Sequence, residues 1–131
     1  MDTAQFDQEK MEQAVDAYVS NYNDGNLDGI VALFASDASV EDPVGTEPKV
    51  GHDALRAFFG VGVEAGARLQ LDGPVRVAAN YAAFPFHVTL EWDSQMTRID
   101  VIDTFEFNQD GKIAKMRAFF GPKNTGAAKG D

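Results

Sequence analysis

The strongest constraint on the fold is a pair of long segments in which apolar and polar residues alternate. In residues 82–92 apolar side chains recur at every second position, and residues 96–107 also alternate, with Ile99, Val101, Phe105 and Phe107 on one face. This period of two predicts two long β-strands, each with one buried face. Asp93-Ser94-Gln95 lies between the segments and predicts the turn that makes them antiparallel neighbours.

Shorter strands are predicted on both sides of this pair. Residues 67–71 and 75–79 are strand candidates separated by Asp72-Gly73-Pro74, whose glycine and proline favour a turn. A last strand, residues 112–120, follows Asn108-Gln109-Asp110-Gly111, which is a strong hairpin signal. The second half of the chain is therefore expected to form an antiparallel meander.

The first half of the sequence has the periodicity of amphipathic helices. The apolar stripe of the first helix consists of Met11, Ala14, Val15, Tyr18, Val19 and Tyr22. Asn26 is the predicted N-cap of a second helix, whose buried stripe reaches Phe34 and which ends at Ser36-Asp37. A third helix is expected at about residues 52–59.

Three helices followed by long strands predict an α+β fold, in which the helices wrap one face of a curved, cone-like sheet that is mixed or antiparallel. The 131 residues suit a single domain, 1–131, with loose tails at about residues 1–6 and 122–131. Hydrophobic residues make up 44% of the chain, which is enough for a sizeable core. A sheet of this kind is expected to enclose an apolar pocket at its wide end.

Charge and composition argue against several classes of partner. The chain has 11 Lys and Arg against 21 Asp and Glu, and its formal net charge of −10 would repel a phosphate backbone or an acidic membrane surface. We therefore expect no nucleic-acid and no membrane partner. The absence of cysteine excludes disulfides and thiolate chemistry. With neither a long apolar segment nor a basic, apolar signal sequence, the expected location is the cytoplasm.

Asp103 interrupts the apolar face of the second long strand. Its same-face neighbours are Val101 and Phe105, so a regular strand would bury the carboxyl group. Because an ionised carboxylate is costly to bury without a partner, the group would keep its proton and serve as a hydrogen-bond donor. The alternatives are an ion pair with a Lys or Arg from a neighbouring strand, or a twist or bulge that turns Asp103 outward.

Asp42 and Tyr18 have ordinary interpretations when they are considered alone. A short extended segment, residues 38–41, leads into Asp42, and the proline that follows favours extended backbone there. Asp42 alternates onto the same face as Val40, yet an Asp-Pro pair also commonly starts a turn. Tyr18 lies on the apolar stripe of the first helix, so its ring belongs to the core and its hydroxyl needs a partner.

The other polar motifs do not indicate a catalytic, metal or nucleotide site. His52 and His87 lack the spacing of metal ligands, and His87 is predicted to be exposed or at a subunit contact. Gly60, Gly62 and Gly66 are placed in a loop with no strand before it, so they do not form a dinucleotide-binding turn. We expect neither a metal nor an organic cofactor.

Three segments together resemble the bacterial ketosteroid isomerases, a family with the nuclear-transport-factor-2-like fold. They are DGNLDGIVALFASDASVEDPVG at 24–45, VIDTFEF at 101–107 and MRAFFGPKN at 116–124. The resemblance implies that Asp42 is a general base, and that Tyr18 and a protonated Asp103 form an oxyanion hole. The pocket residues that it implies are Pro43 and Val44 beside the base, and Phe59, Phe86, Met116 and Phe120.

The implied reaction moves the double bond of a 3-oxo-Δ5-steroid into conjugation without a cofactor. Family members are homodimers, and the outer sheet face around Ile102 is the expected interface. Phe59 stands where the family commonly has a tyrosine that hydrogen-bonds the oxyanion-hole tyrosine. Three alternatives follow. The oxyanion hole functions without that hydrogen bond, the enzyme is less active, or another group takes the place of the missing tyrosine.

Other functions remain open at this point. The same fold hosts polyketide cyclases, dehydratases and epoxide hydrolases, and a non-catalytic binding module is a further alternative. An epoxide hydrolase of this fold would use an Asp-Arg-Asp set around a water molecule. Arg98 is predicted to lie outside the pocket, and Arg117, within the third segment, is predicted to lie on a solvated face of the last strand.

Overall fold

A computed structural model describes residues 6–128, which form three α-helices, eight β-strands and one short 3₁₀ helix. The helices are α1 (Gln8–Asn23), α2 (Leu27–Ala32) and α3 (His52–Glu64). The strands are β1 (Phe34–Glu41), β2 (Lys49–Val50), β3 (Arg68–Leu71), β4 (Arg76–Ala78), β5 (Tyr81–Trp92), β6 (Gln95–Phe107), β7 (Ile113–Phe119) and β8 (Thr125–Ala127). The 3₁₀ helix, Pro122–Asn124, lies between β7 and β8.

The eight strands form one mixed sheet, which confirms the predicted α+β class. Six strands run in the order β2-β1-β7-β6-β5-β3, while β4 pairs with β5 and β8 pairs with β6. The β1–β7 pair is parallel, and the other pairs are antiparallel. α1 packs on β3, β4 and β5, and α3 packs on β1 and β2, so these two helices contact both ends of the sheet.

The predicted long hairpin is formed by β5 and β6, which pair from Tyr81–Glu106 to Trp92–Gln95. Asp93 and Ser94 both have positive φ, 51° and 63°, as in the two-residue turns that match the twist of paired strands. Because Gln95 already pairs with Trp92, the turn is one residue shorter than the predicted Asp93-Ser94-Gln95.

Burial alternates along β6 as its period of two predicts. Val101, Asp103, Phe105 and Phe107 are buried, whereas Ile102 is 50% exposed on the opposite face. The buried side chains join those of α1, α3, β1 and β5 in one hydrophobic core. The inner face of β6 therefore forms the centre of the sheet's buried side.

Side chains cap the first two helices. Asp7 accepts hydrogen bonds from the backbone N–H groups of Glu9 and Lys10 at the start of α1. Asn26 accepts from the N–H of Gly29, which confirms the predicted N-cap of α2. In residues 6–128, the structure contains no helix that is both long and apolar enough to span a membrane.

The second and third helices differ in length from the prediction. α2 ends at Ala32, and Phe34 and Ser36-Asp37 belong to β1. This segment is extended because it pairs with β7, where the Ile113 N–H donates to the Leu33 carbonyl at 2.9 Å. α3 continues to Glu64, so the glycines that were predicted to lie in a loop are helical, except Gly66.

The predicted C-terminal tail is ordered over most of its described part. After the 3₁₀ helix, β8 pairs with β6 from Ile99–Thr125 to Thr97–Ala127. At the other end of the chain, Phe6 packs against the core. The rest of the predicted tails, residues 1–5 and 129–131, lies outside the described residues.

Asn23 fastens the end of α1 to β3. Its side-chain amide donates to the Leu69 carbonyl at 2.9 Å, and its side-chain oxygen accepts from the Leu69 N–H at 2.7 Å. Asn23→Ala leaves both backbone groups without these partners, so we expect a loss of about 2 kcal/mol in the free energy of unfolding. Urea denaturation at pH 7 measures the loss.

Asn21→Ala is the control for this substitution. It removes one exposed side-chain hydrogen bond, from Asn26, and is expected to change stability by less than about 0.5 kcal/mol. Equal losses in the two variants would show that the two hydrogen bonds between Asn23 and Leu69 contribute no more to stability than one exposed side-chain hydrogen bond.

Candidate active site

A cavity of about 440 Å³ lies between α1, α3 and the inner face of the sheet. This volume falls in the usual range for small-molecule sites, roughly 300–1,000 Å³. Its wall is mostly apolar and is built by side chains from α1, α3, β3, β5 and β6, with Phe120 and Thr125 from the C-terminal segment. The titratable residues in the wall are Tyr18, Tyr22, Asp42 and Asp103.

Asp103 reaches the cavity from the middle of β6. Its cross-strand neighbours are Phe84 of β5 and Ala118 of β7, so apolar residues flank the carboxyl group on both sides. The residue is 0% exposed, and neither carboxyl oxygen has a hydrogen-bond partner. These facts exclude both alternatives that the sequence left open, an ion pair and an outward orientation.

The Asp103 carboxyl group is a much weaker acid than an exposed aspartate. Burial, followed by the charge of Asp42, raises the pKa of Asp103 well above its usual range. A neutral carboxyl group donates one hydrogen bond, and a buried donor without a partner is rare in folded proteins. Because this carboxyl group lines a cavity, it can donate to an oxygen atom of a bound molecule.

Asp42 lies at the end of β1, where the chain leaves the sheet through a cis Asp42–Pro43 peptide bond. The loop that follows is fastened to β7, because the Val44 N–H donates to the Ala118 carbonyl at 2.8 Å. Ala118 is also the cross-strand neighbour of Asp103. Thus β7 sets the position of the Asp42 loop relative to Asp103.

Asp42 is a weak acid that can ionise near neutral pH. Burial raises its pKa to about 6, and the positive charge of Lys49 opposes part of that rise. Lys49 is held in place over the ring of Phe58, with its nitrogen 4.7 Å from the ring centroid. The cavity therefore contains two carboxyl groups of raised pKa, with a value of about 6 for Asp42 and a shift well above the usual range for Asp103.

Tyr18 extends from α1 over the residues that flank Asp103. Its ring packs edge to face against Phe105, at a centroid distance of 5.3 Å, and against Phe84, at 6.4 Å. Phe105 is the next same-face residue of β6, and Phe84 is the cross-strand neighbour of Asp103. Burial, followed by Tyr22, Asp103 and Asp42, raises the pKa of Tyr18 well above 10, so the hydroxyl keeps its proton.

Tyr22 also lines the cavity, although the sequence analysis assigned it only to the apolar stripe of α1. The signal that could have identified it is its spacing, since residues four apart on a helix point to the same side. Burial, followed by the charges of Asp42 and Asp103, raises the pKa of Tyr22, while Tyr18 lowers it. The four cavity residues are the groups in the described chain whose pKa is clearly shifted, which is typical of active sites.

The structure places two of the six predicted pocket residues in the cavity wall, Phe86 and Phe120. Phe59 and Met116 lie in the core behind the wall and are 0% exposed. Phe59 packs on Phe34 at a centroid distance of 5.3 Å, and Met116 pairs across strands with Phe105.

Pro43 and Val44 follow Asp42 in its loop but do not line the cavity; the Val44 side chain is 43% exposed. The sequence analysis missed most of the apolar wall. It includes Phe58, Val61, Leu69, Val88, Leu90, Trp92 and Ile99.

The histidines and Arg98 lie outside the cavity wall. The His52 ring bonds to the Phe34 carbonyl at 2.8 Å, and Arg98 pairs with Asp100. His87 is half-buried rather than exposed and bonds to Asp72 at 2.9 Å. Although the side chains of Asp72, His87 and Asp100 lie close together, these contacts already pair each of them.

Comparison with known proteins gives the family. Residues 15–116 match the SnoaL-like domain. The chain belongs to this family. The Steroid Delta-isomerase of Nocardioides simplex is 38% identical over 114 residues, which cover 86% of this chain and 91% of that protein. This similarity confirms the predicted resemblance to the ketosteroid isomerases.

Two further relatives have names that describe a different chemistry. Epoxide hydrolase LasB of Streptomyces lasalocidi is 31% identical over 109 residues, which cover 79% of this chain and 39% of that protein. The solved structure of the epoxide hydrolase/cyclase-like enzyme SalBIII, described in pyran ring formation in the polyether salinomycin, has a TM-score of 0.88. It is 27% identical, and the match covers 93% of this chain and 98% of that chain. The similar proteins are thus enzymes of one fold with different reactions.

The positive charge of Lys49 is expected to keep the pKa of Asp42 lower than burial alone would make it. In a carbon-13 NMR titration of the carboxyl groups, we expect a midpoint of about 6 for Asp42. Lys49→Met removes the positive charge that lowers the pKa, so the midpoint should move to higher pH. Lys115→Met, an exposed substitution on β7 outside the cavity wall, should leave the midpoint unchanged. A downward shift in Lys49→Met would contradict this electrostatic assignment.

Asp103→Leu is expected to increase stability at neutral pH. The unfolded chain ionises this carboxyl group above about pH 4, whereas the raised pKa keeps it protonated in the folded protein. The free energy of unfolding of the natural protein therefore falls by about 1.4 kcal/mol per pH unit between the two pKa values. The leucine variant lacks this loss, and the neighbouring cavity has room for its side chain.

Urea denaturation at several pH values measures the difference between Asp103→Leu and the natural protein. We expect the advantage of the variant to shrink as the pH falls toward 4. Asp100→Leu is the control, because Asp100 is exposed on the other face of β6 and is paired with Arg98. A stability gain for Asp103→Leu that does not depend on pH would contradict the raised pKa.

Proposed function

We propose that this protein is a cofactor-independent isomerase that moves the C=C double bond of a 3-oxo-Δ5-steroid to the Δ4 position. The observation that carries the proposal is the combination of Asp42, which can ionise, with two protonated donors, Tyr18 and Asp103, in one apolar cavity. The similarity to a steroid delta-isomerase over most of both chains supports this reaction rather than another proton transfer.

In the proposed reaction, the Asp42 carboxylate removes a proton from C4, the carbon next to the C3 ketone. The electron pair of that C–H bond moves toward the ketone and leaves a dienolate, whose negative charge lies on the C3 oxygen. Tyr18 and Asp103 donate hydrogen bonds to this oxygen, where the charge develops. Asp42 then returns the same proton to C6, which completes the shift of the double bond.

The acidities of the three groups suit these roles. A base with a pKa of about 6 is mostly ionised at pH 7, yet it remains basic enough to accept a proton from carbon. The raised pKa values of Tyr18 and Asp103 keep both donors protonated at the same pH. The charge of Asp42 itself contributes to the raised pKa of Asp103, so the proposed base helps to keep the proposed donor protonated.

The cavity wall suits the hydrocarbon skeleton of a steroid. Apart from the four titratable residues and two threonines, Thr97 and Thr125, the side chains that line it are apolar. Apolar contacts contribute binding energy through the area that they remove from water, and they leave the ketone as the one group that seeks polar partners. Binding energy from the skeleton can therefore place C4 next to the base.

The roles are tested with purified protein and a 3-oxo-Δ5-steroid, by following the absorbance of the conjugated enone. Asp42→Asn removes the base but keeps the shape of the side chain, so kcat should fall by roughly 10²–10⁴-fold while steroid affinity is largely retained. Tyr18→Phe and Asp103→Ala each remove one donor and should lower kcat roughly 10²–10³-fold.

Asp100→Asn, on the exposed face of β6, is the matched control and should keep the activity of the natural protein. Near-normal kcat in Asp42→Asn would show that another group is the base. Losses of only a few-fold in both donor variants would contradict the oxyanion hole.

Epoxide hydrolysis or cyclisation is the second candidate function, because two relatives carry those names. A hydrolase with an Asp-Arg-Asp set needs an arginine beside its carboxylates. In residues 6–128, the residues that line the cavity include two aspartates but no arginine, so the isomerase is favoured. If an epoxide is opened while the steroid is left unchanged, the second candidate is correct. No turnover of either substrate would favour a binding module.

The expected homodimer and cytoplasmic location stay predictions. On the outer face of the sheet, Ile102 and Phe119 are cross-strand neighbours that are 50% and 46% exposed. This apolar pair lies on the face that the sequence analysis assigned to a second copy of the chain.

A further inference from the structure

Tyr22 lies one helical turn after Tyr18 on α1, and the two tyrosines line the same cavity. Their rings meet edge to face, with centroids 5.3 Å apart and planes inclined at 80°. Tyr22 is 9% exposed, so its hydroxyl is largely removed from bulk water. A phenol in such a place needs a hydrogen-bond partner within the protein or in a bound molecule.

Among the aromatic rings that pack against Tyr18, Tyr22 is the one with a hydroxyl group. The other rings are Phe59, Phe84 and Phe105. A hydrogen bond that orients the Tyr18 hydroxyl therefore cannot come from these three side chains. In particular, it cannot come from Phe59, whose ring lies 6.1 Å from that of Tyr18.

α3 leaves room for the Tyr22 hydroxyl. A Cβ atom on Gly62 would lie 3.3 Å from the Tyr22 hydroxyl oxygen and from one ring carbon, which is tighter than ordinary packing. Phe59, one turn earlier on α3, packs edge to face against the Tyr22 ring at 5.9 Å. Thus α3 contacts the Tyr22 ring through Phe59 and leaves space for the Tyr22 hydroxyl at Gly62.

The charges around the two hydroxyls agree with a mutual contact. Burial, then Asp42 and Asp103, raises the pKa of Tyr22, so it remains a neutral phenol. The neighbouring Tyr22 side chain raises the pKa of Tyr18, whereas Tyr18 lowers that of Tyr22, as expected for two side chains close enough to interact.

We propose that Tyr22 is a positioning residue that orients the Tyr18 hydroxyl for the oxyanion. When the substrate oxygen gains negative charge, the Tyr18 hydroxyl turns its proton toward that oxygen, and Tyr22 donates its own proton to the Tyr18 oxygen. No covalent bond to hydrogen breaks in this exchange, because only the directions of the two hydrogen bonds change. This inference rests on the proposed isomerase function for its kinetic consequence.

The test is a double-mutant cycle measured by steroid turnover. Tyr22→Phe keeps the ring and removes the hydroxyl, so kcat should fall roughly tenfold, the worth of one hydrogen bond near a charge, with little change in KM. In the Tyr18→Phe background, the same substitution should change kcat less than about twofold, because the group that Tyr22 positions is gone. If the two losses multiply instead, Tyr22 acts independently of Tyr18 and the proposal is wrong.

Tyr81→Phe is the matched control, since Tyr81 is 49% exposed and outside the cavity wall. It should leave kcat unchanged. Thermal unfolding of each variant checks that the fold persists. If Tyr22→Phe unfolds, Gly62→Ala provides the second variant, because its methyl group crowds the Tyr22 hydroxyl; an unchanged kcat in that variant would contradict the proposal.

A spectroscopic measurement separates this proposal from the isomerase assignment. A phenol such as 2-naphthol, bound in the cavity, presents an oxygen whose ionised fraction is visible in its absorbance spectrum. We expect Tyr22→Phe to lower that fraction in the natural background and to leave it unchanged in the Tyr18→Phe background. This result would stand even if the protein did not isomerise the steroid. If Tyr22→Phe leaves the ionised fraction of bound 2-naphthol unchanged in both backgrounds, the proposal is wrong.

Discussion

The site depends on one unfavourable interaction, the burial of Asp103 in an apolar part of the sheet without a hydrogen-bond partner. A buried polar group that lacks a partner costs about 1–3 kcal/mol, judged from protein mutants. The hairpin of β5 and β6 and the pairing with β7 hold Asp103 in place on both sides. The same lack of a partner leaves the carboxyl group free to bind an oxygen of a ligand. The buried, unpaired carboxyl group of Asp103 therefore both lowers stability and makes a hydrogen bond to a ligand possible.

The cavity brings together residues that are far apart in the sequence, and each element does so by simple geometry. The helical period places Tyr18 and Tyr22 on one side of α1. The strand period places Asp103 on the inner face of β6. β7 is parallel to β1 and antiparallel to β6, so it connects the Asp42 loop to Asp103 through Ala118. Regular secondary structure thus holds three of these side chains, and one backbone hydrogen bond fastens the loop that follows Asp42.

Local patterns predicted the parts of the fold that depend on local physics. Alternation predicted the β5–β6 hairpin and the buried face of Asp103, and capping chemistry predicted Asn26. The errors fall where distant pairing decides: Phe34 belongs to a strand because β7 pairs with it, and β8 is ordered because β6 has a free edge position for it. The cavity wall was predicted poorly for the same reason. An apolar stripe does not reveal whether Tyr22 faces a cavity or whether Met116 lies behind it.

The relatives show that the fold alone does not decide the reaction, since a steroid delta-isomerase and epoxide hydrolase-like enzymes both resemble this chain. The decision lies in how the cavity distributes protons. A cavity wall that raises the pKa of Asp42 to about 6 and that of Asp103 well above its usual range, without an arginine among the described lining residues, suits a proton acceptor beside a proton donor. Those two capacities are the requirements for moving a double bond next to a ketone. Epoxide opening also combines a base, which activates an attacking hydroxyl group or water molecule, with a proton donor. The absence of an arginine from the described cavity wall and the similarity to a steroid delta-isomerase over most of both chains are therefore the observations that favour the isomerase.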